Sequence, residues 1–302
     1  MGVKISRTEY GHQEDLETLA KEIGRARIAS RTLANMSQIS LEDRDPAGNL
    51  LPVAIALMSD LHIGGAGTDY DKMFDDARVV KETPGMYAIL PGDNIDNFIK
   101  GKLVSANFAT GLPVIGQWAL FQRFLEIISS KLIAAVAGNH DNWTLDLAAV
   151  DYLAHLLPKY VLYDPYEVRT TIKIGESKWN MLLRHKVRYS SIYNPLHGIK
   201  QHYRNGDWAF DIGIAGHVHR GAVYEPFYAH GKKRWAILCG TYKKIDSYPL
   251  AEGFVGGGEG DSIALIMTPD GRMEVMDDLE LAASFLGYLR QQYSSPKPPN
   301  PK

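Results

Sequence analysis

The stretch Val53-Ala54-Ile55-Ala56-Leu57-Met58-Ser59-Asp60-Leu61-His62 decides the fold. Its first six residues form a short continuous apolar run, which suits a strand buried on both faces. A carboxylate and an imidazole follow at once. Four further runs behave alike: Met86 to Leu90, Leu132 to Ala137, Asn180 to Leu183 and Ile212 to Ala215. Asp93 follows the second in Gly-Asp-Asn-Ile-Asp, and Asn139 the third in Gly-Asn-His-Asp. His185 follows the fourth, and His217 and His219 follow the fifth in Gly-His-Val-His. In open α/β sheets, ligands bind outside the carboxyl ends of the strands. The five loops are therefore expected to converge on one rim. The glycines before Asp93, Asn139 and His217 are expected to let the backbone turn sharply there.

Working outward, helical patterns cover about 70–82, 113–130 and 145–157, between the apolar runs. That alternation argues for α/β architecture. Residues 160–185, 222–240 and 262–276 read as strands. This is more strand than one doubly wound sheet needs, so two packed sheets with helices outside are expected. Residues 13–36 have the period of an amphipathic helix, with Leu16, Leu19, Ala20 and Ile23 on one face. The stretch 19–33, with Gly24 between two helical patterns, has a helix-turn-helix flavour; a helical arm packing on the core or on another subunit is preferred. Residues 42–50 read as a linker. The expected organisation is an arm and linker over 1–50, a catalytic domain over 51–276, and a helix with a proline-rich disordered tail over 277–302. The glycine-rich residues 252–260 lack the ending of a phosphate loop and read as a surface loop.

The chain has 302 residues and a formal net charge of -2, so any polyanion must be met by a local patch. Cys239 is the one cysteine, which excludes an intrachain disulfide and a thiolate cluster. Metal ligands must come from His, Asp, Glu and Asn. The first residues lack the apolar core of a secretory signal. Gly2 and Ser6 match the short myristoylation pattern, and chance is the preferred reading. No apolar stretch reaches spanning length. The expectation is a cytoplasmic protein with no membrane partner.

Each block taken alone has a plain reading. Asp60 could cap a helix, and His62 or His185 could be satisfied core histidines. Five blocks in order, each after an apolar run, point to a site. As a set they resemble the calcineurin-like metallophosphoesterase family over roughly residues 53–245. That resemblance implies a two-sheet sandwich flanked by helices, and a dinuclear centre. It implies one metal on Asp60, His62, Asp93 and His219, and a second on Asp93, Asn139, His185 and His217, with Asp93 bridging. It also implies His140 as general acid, with the Asp96 carboxylate orienting it; Asp141 is the second choice for that partner.

The chemistry supports the assignment. Two cations about 3.5–4 Å apart can generate a hydroxide and clamp both oxygens of an in-line displacement. Asn139 adds a ligand without more negative charge. Mixed nitrogen and oxygen donors fit Mn, Fe, Zn, Co or Ni better than Ca or Mg, and manganese is favoured. A histidine suits the acid role because its proton moves near neutral pH.

Residues 184–205 place Arg188, Lys200 and Arg204 near His185, with Tyr189, Tyr193 and Tyr203 interleaved. Such side chains suit a nucleic-acid strand, by phosphate pairing and base stacking; a solvated helix face is the competing reading. A phosphodiesterase, with a nuclease as one form of it, is therefore favoured. The alternatives are a phosphomonoesterase acting on a nucleotide or phosphoprotein, and a catalytically silent scaffold. A homo-oligomer is compatible with the sequence.

Overall fold

Val53–Leu57 forms a strand, β2, and all five residues are buried. It shows no polar alternation because both faces are covered. Ala54 and Ala56 join a cluster with helical residues, whereas Val53, Ile55 and Leu57 join a cluster between two sheets. The computed structural model describes residues 21, 37–99, 112–191, 193–206, 208–244 and 262–294.

Among the described residues, twelve strands make two six-stranded sheets. The first has the order β12-β11-β2-β3-β4-β5. Its other members are β3 (Met86–Leu90), β4 (Leu132–Val136), β5 (Leu162–Asp164), β11 (Ile263–Met267) and β12 (Met273–Met276). Strands β2 to β5 run parallel, and β11 joins antiparallel to β2. The second sheet has the order β1-β6-β7-β8-β10-β9. Its strands are β1 (Gln38–Ser40), β6 (Glu167–Ile174), β7 (Ser177–Arg184), β8 (Ile212–Ala215), β9 (Val223–Ala229) and β10 (Lys232–Leu238). Strand β8 is parallel to both β7 and β10.

Three helices cover the first sheet: α1 (Tyr70–Glu82), α2 (Val114–Ile128) and α6 (Leu279–Ser294). They contribute Met73, Phe121, Phe124 and Leu286, all fully buried. Each such side chain stabilises the fold by about 1.5–3 kcal/mol. Two more, α3 (Asn139–Ala148) and α4 (Tyr152–Leu156), follow β4. On the second sheet α5 (His197–Asn205) packs Ile199 and Tyr203 against Leu182, Ala236 and Leu238. The layers are helix, sheet, sheet, helix: a four-layer α/β sandwich.

Two expectations shift. The helix read over 145–157 is two helices, and the first starts at Asn139, inside the Gly-Asn-His-Asp block. Asp141 caps it by accepting from the Gly138 N–H (2.9 Å). Ala149, at φ 55, ends it. The second shift concerns the ends of the catalytic unit. The chain divides into Met1–Ser37 and Gln38–Lys302. Residues 38–50 belong to the larger unit because β1 pairs with β6. Helix α6 belongs there too, since Arg290 Nη1 donates to Asp43 Oδ2 and to the Pro52 carbonyl, both at 2.9 Å. The expected helix over 13–36, apart from the helical Lys21, lies outside the described residues, as do 252–260 and 295–302. No described helix is long and apolar enough to cross a membrane.

Candidate metal centre

The loops after β2 and β3 zip together. Asp60 N–H donates to Gly92 O and His62 N–H to Asp93 O, both at 3.0 Å. The loop after β8 crosses from the other sheet: His217 N–H donates to both Asp60 carboxylate oxygens at 3.1 Å. Gly216 N–H donates to His185 O (2.9 Å), which ties in the loop after β7. Asp141 accepts from the N–H groups of Gly138, Asn94 and Ile95, joining the loops of β3 and β4.

The sharp turns fall on the candidate ligands themselves. Asp60, His62, Asp93 and His217 have φ of 52, 45, 52 and 76. For a non-glycine residue this left-handed region costs about 1–3 kcal/mol each. Of the three expected glycine turns, Gly92 alone has positive φ, at 103. Gly138 and Gly216 are needed for space. A Cβ at 138 would stand 1.9 Å from Asp93 Oδ1, and one at 216 would stand 2.3 Å from Ser59 Oγ.

Two ligand groups result. Asp60, His62, Asp93 and His219 offer atoms all within 4.8 Å of one another, and so do Asp93, His185 and His217. Asp93 is common to both. His62 Nε2 lies 2.8 Å from His219 Nε2. His185 Nε2 lies 3.1 Å from Asp93 Oδ2, yet neither atom is aligned for a hydrogen bond. With Asn139 Oδ1 they are buried polar atoms without a hydrogen-bond partner. Leaving an atom such as Asn139 Oδ1 unpaired costs about 1–3 kcal/mol, whereas Asp93 Oδ2 and His185 Nε2 still face each other as an ion pair. A bound cation removes that cost, so the donor set fits divalent metal ions. His62, Asp96 and His140 also offer close atoms, but the Lys243 ammonium already sits on Asp96 Oδ1 (2.8 Å) and would repel a cation.

Outer partners fix the imidazoles. His185 Nδ1 faces the Pro91 carbonyl (3.0 Å), and His62 Nδ1 faces Asp96 Oδ1 (2.9 Å), which leaves Nε2 of each toward Asp93. Burial pushes His62 down to about 4. His217 is also at about 4, through burial and then the charges of His185 and Lys186. Both are neutral at pH 7, the form that ligates metal. Burial also pulls on His185, but Asp93 and Asp60 hold it up at about 9. Burial raises Asp93, and the surrounding histidines take it well below the ordinary carboxylate range.

His140 is placed differently from expectation. Its backbone N–H donates to Asp93 Oδ1 (2.9 Å), and its ring stacks on Trp143 at 4.2 Å between centroids. Its Nδ1 meets the main-chain carbonyl of Asp96 (2.5 Å), not the carboxylate. The Asp96 carboxylate serves His62 and Lys243 instead. Asp141 is occupied with backbone N–H groups, and burial followed by the Asp93 charge raises it to about 6.

Sequence reasoning missed Lys243. It is 3% exposed and also lies over the Phe98 ring at 4.9 Å. Burial raises Asp96, while His62 and then the Lys243 ammonium hold it below the ordinary carboxylate range, and Asp96 in turn holds His62. Removing such an outer partner typically costs about 10–100-fold in metal affinity. Lys243→Met is therefore expected to weaken binding at the Asp60, His62, Asp93 and His219 group by about that factor, read by calorimetric metal titration. An unchanged affinity would show that Asp96 orients His62 unaided.

The basic tract does not form one surface. Arg188 lines a cleft with Arg184 and Lys186. Lys200 and Arg204 line a different cleft, toward β9, with Tyr203 and Phe227. Lys200 is also ion-paired with Glu225. Tyr203 is a core residue packed on Phe210 and Phe227.

No protein-family model matches the chain, and no curated protein matches it. Similar solved structures include Vps29 from Chaetomium thermophilum, at 15% identity and TM-score 0.36, covering 74% of this chain and 96% of that one. They include calcineurin-like phosphoesterase YfkN from Bacillus subtilis, at 11% identity and TM-score 0.34, covering 80% and 96%. Nuclease MPE from Pseudomonas putida is a third, at 15% identity and TM-score 0.33, covering 74% and 87%. The two helix-flanked sheets are the expected architecture, and the five loops meet on one rim as the strand pattern predicts.

Proposed function

We propose that the protein is a dinuclear metal-dependent phosphoester hydrolase of the phosphodiesterase type. One observation carries the reading: Asp93 belongs to both ligand groups, beside buried donor atoms that have no hydrogen-bond partner. Asp60, His62, Asp93 and His219 would hold one ion, and Asp93, Asn139, His185 and His217 the other. Manganese is the proposed metal. When bound, two such ions activate water and neutralise charge on the phosphoryl oxygens. The chain supplies the rest. Asp96 and the Pro91 carbonyl orient the ligating imidazoles. His140, held at Nδ1 by the Asp96 carbonyl, keeps Nε2 for the proton of the leaving oxygen. Buried atoms without partners have no use in a silent scaffold, which argues against that reading. A cytoplasmic location is part of the proposal.

The test is metal removal and reconstitution. Elemental analysis is expected to find two ions per chain, with activity lost on chelation and restored by manganese. Bis-p-nitrophenyl phosphate is expected to turn over faster than the monoester. Activity that survives thorough chelation sinks the reading. A faster monoester moves it to a phosphomonoesterase acting on a nucleotide or phosphoprotein.

A further inference from the structure

The cleft between residues 184–189 and α5 has a volume of ≈ 400 Å³. Arg184, Lys186, Arg188, Gln201 and His202 are among its walls, and no acidic residue is. Glu167 neutralises Arg184 from outside the cleft, through a 2.8 Å bond to Nη1. Lys186 and Arg188 are exposed and have no ion pair among the described residues. Arg184 and Lys186, which line the cleft, flank His185 in the chain.

Tyr189 adds an independent observation. It is 71% exposed and has φ 71. A bulky residue in this region is strained, and such strain persists where the surroundings impose it. The surroundings here are α5: a Cβ at Gly198 would stand 2.3 Å from the Arg188 carbonyl, so the helix presses directly on the loop backbone. The loop is thereby held with an aromatic ring in solvent, next to two exposed cations that form no ion pair among the described residues.

We infer that this cleft holds backbone phosphates of a single nucleic-acid strand, with Lys186 and Arg188 on the phosphates and Tyr189 stacked on a base. The inference rests on the phosphodiesterase reading and names its substrate class. The strand would run from the metal centre along the cleft. A small ester lacks the second phosphate and the base that these side chains would meet.

Binding of a fluorescent twelve-residue thymidine strand, followed by anisotropy across a salt series with chelator present, tests this on the full chain. Each phosphate contact on a single strand contributes about 0.7 to the slope of log affinity against log salt. Lys186→Ala with Arg188→Ala is expected to weaken binding and flatten the slope by about 1.4. Tyr189→Ala is expected to weaken binding about 5- to 150-fold with the slope kept. Lys178→Ala, a charge loss at the far end of β7, should change nothing. Equal binding by the double variant overturns the inference, and so does inorganic polyphosphate bound as tightly as the strand. A protein that hydrolyses the bis ester but binds no strand loses this inference and keeps the phosphodiesterase reading. A protein that binds the strand in this way but hydrolyses no ester loses that reading and keeps the cleft.

Discussion

Asp93→Asn is expected to empty both metal positions together and reduce turnover by about a thousandfold or more. The size follows from charge. Each ion supplies several kcal/mol to the transition state, and about 1.4 kcal/mol is a factor of ten in rate. The change removes one charge and almost no volume. The remaining oxygen can still accept from the His140 N–H, as Asp93 Oδ1 does at 2.9 Å. The fold should therefore stay, although the stripped variant loses the attraction between the Asp93 charge and His185 and should melt somewhat below the stripped wild type. Elemental analysis showing one retained ion would mean that Asp93 serves a single position, and the shared-ligand reading would be wrong.

His140→Ala should keep both ions and lose turnover of poor leaving groups by about 10²–10⁴-fold. Retention is expected because His140 meets Asp93 through its backbone, which alanine preserves. An activated aryl ester leaves without a proton, so its loss should be much smaller. The measurement is turnover across esters of graded leaving-group acidity, with metal content checked in parallel. Equal losses along the series would falsify the acid role. Asp96→Asn should behave differently from His140→Ala. Its carboxylate touches His62 and Lys243, so metal affinity should fall, while the carbonyl that holds His140 remains.

The candidate ligand groups were legible because strands buried on both faces leave unbroken apolar runs, and each candidate follows such a run closely. Val53 to Leu57 and Met86 to Leu90 are such runs. Lys243 was not legible. It is a lone lysine without a motif, far along the chain from Asp96. Its place depends on the turn after β10 reaching the loop before α1, where Thr68 and Lys243 form a bridge. Strand β1 was hidden for another reason. Gln38-Ile39-Ser40 is an edge strand with little burial, so it leaves no apolar signature. The role of Asp96 was half visible. The resemblance supplied the Asp96 carboxylate as the partner of His140, whereas the main-chain carbonyl of Asp96 makes that contact. The split of the basic tract was readable in principle. On a helix, positions 200 and 204 share one face while 201 and 205 share the next, so Lys200 and Arg204 turn away from the face that Gln201 gives to Arg188.

The left-handed backbone at Asp60, His62, Asp93 and His217 sets robustness against activity. Glycine enters that region without steric cost, so at each of these positions it would relieve strain while deleting a candidate metal donor and its buried contacts. Natural proteins commonly hold such stability–activity conflicts at their working sites. A population of variants screened only for heat resistance would then lose these residues wherever the relieved strain outweighs the buried contacts given up. Selection for catalysis has to act continuously on the same residues to hold them in place.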